Sequence, residues 1–91
     1  MVARYLIETQ HTPEQCLADL DVVLEQAPGL LQKLEWGCRT GVHTGWTMVE
    51  APSLQEASRQ IPSILRSRTR VVEVRPFSPD EIRTLHERKT G

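Results

Sequence analysis

The sequence predicts an α+β protein with the ferredoxin-like order βαββαβ and a short C-terminal helix. Three observations predict it: segments of alternating apolar and polar residues, capping boxes that start the helices, and a glycine-rich hairpin near the middle of the chain. Ninety-one residues suffice for one thin hydrophobic core, so residues 1–91 are predicted to form a single domain.

The first half of the chain predicts a strand followed by a helix. Residues 2–9 are rich in β-branched and aromatic side chains and alternate between two faces. Thr12-Pro13-Glu14-Gln15 then supplies a capping hydroxyl, a proline at the first helical position and a glutamine that closes a capping box. Helical spacing predicts a buried stripe formed by Cys16, Leu17, Leu20, Val23, Leu24 and Ala27. The opposite side of the helix is predicted to be acidic and to face solvent, with Glu14, Asp19, Asp21 and Glu25. Pro28-Gly29 is predicted to end this helix, with a short turn following it.

The second half begins with a stretch, residues 36–46, that holds two tryptophans, three glycines, a cysteine and a histidine. It predicts a hairpin between strands at 34–39 and 45–51. Ser53-Leu54-Gln55-Glu56 starts a second helix, which Pro62 kinks or ends. Its predicted buried positions are Leu54, Ala57, Ile61 and Leu65. A solvated basic loop at 66–70, a fourth strand at 71–75 and a third helix capped by Ser78 complete the chain, with fraying expected at Lys89-Thr90-Gly91.

Right-handed crossovers in this element order place the first and third strands at the centre of an antiparallel sheet, in the order 4-1-3-2. Both main helices then cover one face. The open face is predicted to mix apolar and charged side chains: Arg4, Leu6, Glu8, Trp46, Met48, Glu50, Val71, Glu73 and Arg75. This face is too apolar to be simply solvated and too charged to be an ordinary core. We therefore expect a homodimer in which two such faces pack together around a cavity.

Composition excludes several classes of function. Eleven basic and twelve acidic residues give a net charge of −1, and no basic stripe is present, so nucleic acid is not an expected partner. No apolar run approaches the roughly 20 residues that span a bilayer, and no signal-peptide core follows Met1, so a soluble cytoplasmic protein without membrane contact is expected. Cys16 and Cys38 are then expected to be reduced thiols or metal ligands rather than a disulfide. No organic-cofactor motif is present.

The element order, the strand Arg4-Tyr5-Leu6-Ile7-Glu8 and the strand Val72-Glu73-Val74 before a short helix resemble the dimeric α+β barrel group. That group includes muconolactone isomerase-like proteins, small heme-degrading or quinol-forming monooxygenases, and nickel-binding ferredoxin-like proteins. The resemblance implies a dimer with a cavity. It implies no particular site residue, since fold alone does not specify an activity.

One set of chemically competent residues is predicted to meet at one end of the sheet. The first strand ends at His11 and the second near Cys38; both run in the same direction, and the hairpin tip carries His43. His11 and Cys16 occupy the two positions that touch at a capped helix start, where the helix N-terminus is expected to lower the pKa of Cys16. Two imidazoles and two thiolates suit Zn²⁺, Ni²⁺ or copper, which predicts a non-enzymatic metal-binding protein with ligands His11, Cys16, Cys38 and His43. Alternatively, the cysteines are small buried side chains and the histidines are loop residues.

A second hypothesis is a small enzyme working in the cavity, an isomerase or cofactor-independent monooxygenase acting on an aromatic or unsaturated acid. Glu8 and Glu73 would be the acid and base, and Arg4 would hold the anionic substrate. The same residues could instead form cross-strand ion pairs. Trp36 and Trp46 could stack on an aromatic ligand or pack on each other. A module for protein interaction, with neither site, is the third possibility.

Overall fold

The computed structural model describes residues 1–90, with the side chains of residues 1–88. The elements, in chain order, are β1 (Ala3–Gln10), α1 (Cys16–Gln26), α2 (Pro28–Lys33), β2 (Glu35–Trp36), β3 (Thr44–Ala51), α3 (Leu54–Arg59), β4 (Thr69–Val74) and α4 (Pro79–Thr90). Short 3₁₀ segments cover Pro13–Gln15, Cys38–Thr40 and Ser63–Arg68. The fraying predicted for residues 89–91 lies outside the residues whose side chains are described. No helix among the described residues is long and apolar enough to cross a bilayer.

The four strands form one open antiparallel sheet in the order β2-β3-β1-β4, which from the β4 edge is 4-1-3-2. β1 and β2 are each antiparallel to β3, so they run in the same direction. Their C-terminal ends therefore lie at the same end of the sheet. A mixed α+β protein with a four-stranded antiparallel sheet is confirmed.

The core lies on one face of the sheet, beneath α1, α2 and α3. Tyr5 and Ile7 of β1 and Val49 of β3 point to this face, and Ile7 is 0% exposed. The helices and the 3₁₀ segment before β4 contribute the remaining large side chains: Val23, Leu30, Leu34, Ile61 and Leu65. Burial of one such side chain stabilises the fold by about 1.5–3 kcal/mol, so this single layer is the main source of stability.

The predicted caps are present at the helix starts. The backbone N–H of Gln15 donates to Oγ1 of Thr12 at 3.3 Å, and the N–H of Thr12 donates to Oε1 of Gln15 at 3.1 Å. Ser78 and Glu81 make the same reciprocal pair before α4. At Ser53 only half of the predicted box forms: the hydroxyl accepts from the N–H of Glu56 at 3.2 Å, while the Glu56 carboxylate accepts from Nη1 of Arg59. These bonds begin α3, α4 and the 3₁₀ turn that leads into α1, whereas α2 begins at Pro28 without a side-chain cap.

The buried stripe predicted for the first helix is wrong at three positions. Leu17 is 76% exposed and Leu24 is 57% exposed, whereas Asp19, predicted to face solvent, is 7% exposed. Asp19 faces the domain, where it forms an ion pair with Arg68 of the 3₁₀ segment before β4, and the buried side of the helix therefore differs from the prediction. Among the positions predicted to be buried between residues 54 and 65, Leu54 of α3 is likewise exposed, while Ala57 of α3 and Ile61 and Leu65 beyond its end are buried as predicted.

Several element boundaries differ from the predictions. Pro28-Gly29 ends α1 but also starts a second short helix, α2, where the sequence predicts a turn. Proline is favoured in the first turn of a helix, which explains why this segment continues as one. The second strand is only Glu35–Trp36, not 34–39, because the chain bends into a 3₁₀ turn at Cys38. The predicted basic loop at 66–70 is a 3₁₀ segment running into β4.

The face predicted for the fourth strand is wrong. β4 pairs with β1 in a regular register in which Val71 lies opposite Ile7 and Glu73 lies opposite Tyr5. Directly paired residues share a face, so Val71 and Glu73 are on the helix-covered face, and Val72 is on the open face beside Leu6. The apolar run in β4 shows no alternation, so only its partner strand fixes which side faces inward.

The last helix stands away from the domain. All described side chains of α4 are exposed, Ile82 and Leu85 among them at 45% and 47%. The radius of gyration is 16.6 Å, against about 12 Å for a compact chain of this length. The core is therefore complete without α4.

Candidate metal centre

The first part of the site is the junction between β1 and α1. His11 directly follows β1 and precedes the Thr12 cap, and its backbone N–H donates to the carbonyl of His43 at 3.1 Å. The capped 3₁₀ turn then places Cys16 at the start of α1. Strand direction and cap geometry thus bring His11 and Cys16 to the same end of the sheet, as predicted.

The second part is a compact loop between β2 and β3. The N–H of Gly37 donates to the carbonyl of Thr44 at 2.9 Å, and the N–H of Val42 donates to the carbonyl of Gly37 at 3.0 Å. Gly41 has φ +96°, a conformation that costs other residues energy, and it turns the chain back after the 3₁₀ segment. These bonds fix Cys38 and His43 at opposite ends of one closed turn.

An aromatic side chain supports the loop from the core side. A Cβ on Gly45 would lie 2.7 Å from the ring of Trp36, so glycine is needed for that ring to lie against the backbone of β3. The ring of Trp36 also packs on His11, with centroids 5.6 Å apart. The alternative that Trp36 and Trp46 pack on each other is wrong, because Trp36 pairs with Gly45 and Trp46 pairs with Glu35 on the opposite face.

These segments gather the four predicted ligands into one cluster. One donor atom from each of His11, Cys16, Cys38 and His43 lies within 4.8 Å of all the others. Nε2 of His11 and Sγ of Cys38 lie 3.3 Å apart. In a tetrahedral Zn²⁺ site with ordinary bond lengths, the ligand atoms lie about 3.3–3.8 Å apart. The most distant pair of donor atoms in the cluster would therefore have to move about 1 Å closer together to bind Zn²⁺. The four side chains could hold a metal ion.

Burial is the main cause of the pKa shifts of two members of the cluster, His11 and Cys38. Burial lowers the pKa of His11, the charges of His43 and Arg68 lower it further, and the charge of Asp19 opposes them. His11 is therefore favoured as the neutral imidazole, which has a lone pair for a metal. Burial raises the pKa of Cys38, and the hydrogen bond and charge of Cys16 raise it further. Two thiolates side by side are unfavourable until a cation lies between them.

One buried nitrogen in the cluster has no protein partner. Nδ1 of His43 makes no hydrogen bond within the described part of the chain, although it is buried. A buried polar atom left unpaired costs about 1–3 kcal/mol. Coordination of a metal ion by His43 is one way to give this nitrogen a partner.

Sequence reasoning missed an ion pair next to this cluster. Nη2 of Arg68 lies 2.7 Å from both carboxylate oxygens of Asp19, which links α1 to the 3₁₀ segment before β4. Both residues act electrostatically on His11. The two lie 49 residues apart in sequence, and neither has a local signal that points to the other.

The residues of the enzyme hypothesis lie on both faces of the sheet. Arg4 and Glu8 are on the open face, where Oε1 of Glu8 accepts a hydrogen bond from Nε1 of Trp46 at 3.2 Å. Glu73 is on the opposite face and forms an ion pair with Arg75. Within one chain, Glu73 therefore does not share a site with Glu8 and Arg4.

Comparison of the chain with known protein families, curated proteins and solved structures gave no match.

Proposed function

We propose that this protein binds one transition-metal ion through His11, Cys16, Cys38 and His43 and is a binding or handling protein rather than an enzyme. The observation that carries this proposal is the cluster of four donor atoms within 4.8 Å. Two supporting observations are the neutral form favoured for His11 and the buried unpaired nitrogen of His43.

Zn²⁺ fits this donor set best. Two imidazoles and two thiolates are a common tetrahedral environment for Zn²⁺, whereas Ni²⁺ and copper are the competing occupants that the same ligands accept. Catalytic zinc sites usually have three protein ligands and keep one position for water or substrate. Four protein ligands fill the tetrahedron, which is why we propose binding without catalysis.

The fold assignment is part of the proposal. The element order and the strand order 4-1-3-2 support a ferredoxin-like domain, and the resemblance to nickel-binding ferredoxin-like proteins makes Ni²⁺ the first competitor to test. Both cysteines are unpaired thiols, which suits a reducing cytoplasm.

The test is a metal titration of tag-free, reduced protein. We expect one Zn²⁺ per chain by calorimetry, and with Co²⁺ the visible absorption of a tetrahedral thiolate complex. Replacement of His11 or His43 by Ala, or of Cys16 or Cys38 by Ser, should weaken Zn²⁺ binding by about 100-fold or more, since each removes one of four ligands. Ni²⁺ and Cu²⁺ are titrated in parallel to rank the metals.

His86→Ala is the matched control, since it removes the remaining histidine, which lies on α4 and is not a member of the four-residue cluster. It should leave Zn²⁺ affinity unchanged. Weak binding that His11→Ala and His43→Ala do not alter would refute the proposal, provided that circular dichroism shows both variants to be folded.

A further inference from the structure

The two cysteines of the chain are close neighbours across the end of the sheet. Cys16 starts α1, and Cys38 starts the 3₁₀ turn between β2 and β3. Their Sγ atoms lie within 4.8 Å of each other, and both are free thiols. The sequence contains no other cysteine, so a disulfide within one chain can join only these two residues.

A small movement would bring the two sulfurs to bonding distance. Sulfurs in a disulfide lie about 2.05 Å apart, so these two must approach by at most about 2.8 Å. A change between staggered rotamers about the Cα–Cβ bond moves a cysteine sulfur by about 3 Å. Rotation of the side chains is therefore large enough to close the gap, with the two backbone segments left in place.

The surroundings of the pair favour oxidation. Cys16 and Cys38 are each half-buried, so a small oxidant can reach them from solvent. Nε2 of His11 lies 3.3 Å from Sγ of Cys38, which keeps this sulfur at the cluster. A cysteine that is open to solvent and has a second thiol beside it is typical of a redox-sensitive site, because the second thiol captures the first oxidation product.

We propose that Cys16 and Cys38 form an oxidation site, at which a hydroperoxide converts the two thiols to a disulfide and so releases the bound metal ion. The release of metal rests on the function proposed above. The formation of the disulfide does not, since it requires only the two neighbouring sulfurs.

The reaction proceeds in two balanced steps. One sulfur attacks an oxygen of the hydroperoxide; the O–O bond breaks, a sulfenic acid forms, and the other oxygen leaves as water or an alcohol with the thiol proton. The second sulfur attacks the sulfenic sulfur; the S–S bond forms, the S–O bond breaks, and the hydroxyl leaves as water with the second thiol proton. Two electrons pass from the sulfurs to the hydroperoxide. In the metal-bound form the sulfurs are thiolates, and solvent supplies both protons.

The disulfide removes two of the four proposed ligands but keeps the two segments joined. Zn²⁺ has no redox chemistry, so the sulfurs alone supply the electrons and the ion changes only its ligands. The thiolate is the form of cysteine that binds metal, so His11 and His43 alone remain as ligands after oxidation. The disulfide links the start of α1 to the 3₁₀ turn at Cys38, and we expect the oxidised domain to stay folded without metal.

The test treats tag-free, reduced protein with hydrogen peroxide, once loaded with Zn²⁺ and once metal-free. In both forms we expect the free thiols to fall from two per chain to none, and peptide mapping to find Cys16 joined to Cys38. The yield should not depend on protein concentration, since the bond forms within one chain. A chromogenic chelator should detect release of one Zn²⁺ per chain in step with the disulfide, and dithiothreitol should restore both thiols and Zn²⁺ binding.

Single-cysteine variants test whether each thiol captures the oxidation product of the other. In Cys16→Ser and Cys38→Ser the remaining sulfur has no neighbour, so it should gain two or three oxygen atoms instead of forming a disulfide within the chain. His43→Ala is the matched control, because it removes a proposed ligand and keeps both thiols. Its metal-free form should give the disulfide at the wild-type rate, provided that circular dichroism shows it to be folded.

The outcomes separate this proposal from the proposed metal binding. Metal-free wild-type protein that gives sulfinic acid, or disulfides only between chains, overturns the oxidation site whether or not Zn²⁺ binds. Zn²⁺-loaded protein that forms the disulfide and keeps its metal overturns the release. A chain that binds no Zn²⁺ but joins Cys16 to Cys38 supports the oxidation site and refutes the metal-binding function.

Discussion

Removal of Arg68 should destabilise the protein more than removal of its ion-pair partner Asp19. The side chain of Asp19 is 9% exposed and that of Arg68 is 31% exposed. Arg68→Ala therefore leaves a carboxylate buried without a partner, which costs about 3–5 kcal/mol. Asp19→Ala leaves a guanidinium that can turn to water, at a cost of about 1–2 kcal/mol.

These magnitudes are large for a domain of this size. A loss of 1 kcal/mol lowers the melting temperature by roughly 4–8 °C in a protein of 60–100 residues, so a loss of about 3–5 kcal/mol in Arg68→Ala should lower it by about 12–40 °C. The buried Nε of Arg68 has no partner, and its removal offsets a small part of the loss. The double variant should be less destabilised than the sum of the two single variants, because it leaves no charge unpaired.

The assay is urea unfolding of the two single variants and the double variant, followed by circular dichroism. Asp80→Ala is the control, since it breaks an ion pair in which the side chains are 91% and 66% exposed, and it should change stability by less than about 0.5 kcal/mol. Equal losses for Asp19→Ala and Arg68→Ala, or additive losses in the double variant, would show that burial of the carboxylate is not the main cause of the destabilisation.

Three further predictions concern the loop, the ligands and the last helix. Gly45→Ala should lower the free energy of unfolding by about 1–3 kcal/mol, because its Cβ would lie 2.7 Å from the Trp36 ring; a neutral result in urea would contradict this packing. Because the raised pKa of Cys38 keeps its thiol protonated at neutral pH without metal, Zn²⁺ binding must displace that proton, and affinity should rise at least about tenfold per pH unit between pH 6 and 8. A flat profile by competition titration would exclude Cys38 as a ligand. Truncation after Arg75 should change the free energy of unfolding by less than about 0.5 kcal/mol, since all described side chains of α4 are exposed; a larger loss would show that α4 packs on the domain.

The features predicted correctly from the sequence are those decided by neighbours in the chain. The caps at Thr12, Ser53 and Ser78 each depend on a residue three positions away, so the pattern contains both partners of the bond. The alternation of β1 is equally local, because Tyr5 and Ile7 are apolar while Arg4 and Glu8 are charged. The capped helix starts and the inner face of β1 could therefore be predicted with no knowledge of tertiary structure, whereas the start of α2, which has no side-chain cap, was not predicted.

The candidate ligands were predictable because only the direction of the strands was needed. His11 and Cys16 are neighbours through the cap, and Cys38 and His43 belong to the turn that follows a strand running parallel to β1. Because β1 and β2 are both antiparallel to β3, the two segments lie at the same end of the sheet. The distances among the donor atoms depend on the 3₁₀ turn at Cys38 and the bend at Gly41, which the pattern does not predict.

The errors arise where distant residues decide the outcome. Val71, Val72 and Val74 could face either side of the sheet, and the register with β1 alone selects Val72 and Val74 for the open face and Val71 for the helix-covered face. Asp19 looks like a solvent position until Arg68 is placed beside it, and the burial of that pair leaves Leu17 exposed. A helical pattern that assigns Asp to the solvent side and Leu to the buried side cannot predict that Asp19 is buried and Leu17 is exposed.

The arrangement of the site explains what a bound metal would add to this fold. Residues 11–16 and 38–43 are each held by their own short-range hydrogen bonds, and the bond from the N–H of His11 to the carbonyl of His43 joins the two segments at the end of the sheet. The core side chains lie on one face of the sheet, whereas the cluster lies beyond the strand ends. A metal ion would therefore act as a cross-link between two preformed segments, and its free energy of binding would stabilise the loop from Gly37 to His43 more than the sheet.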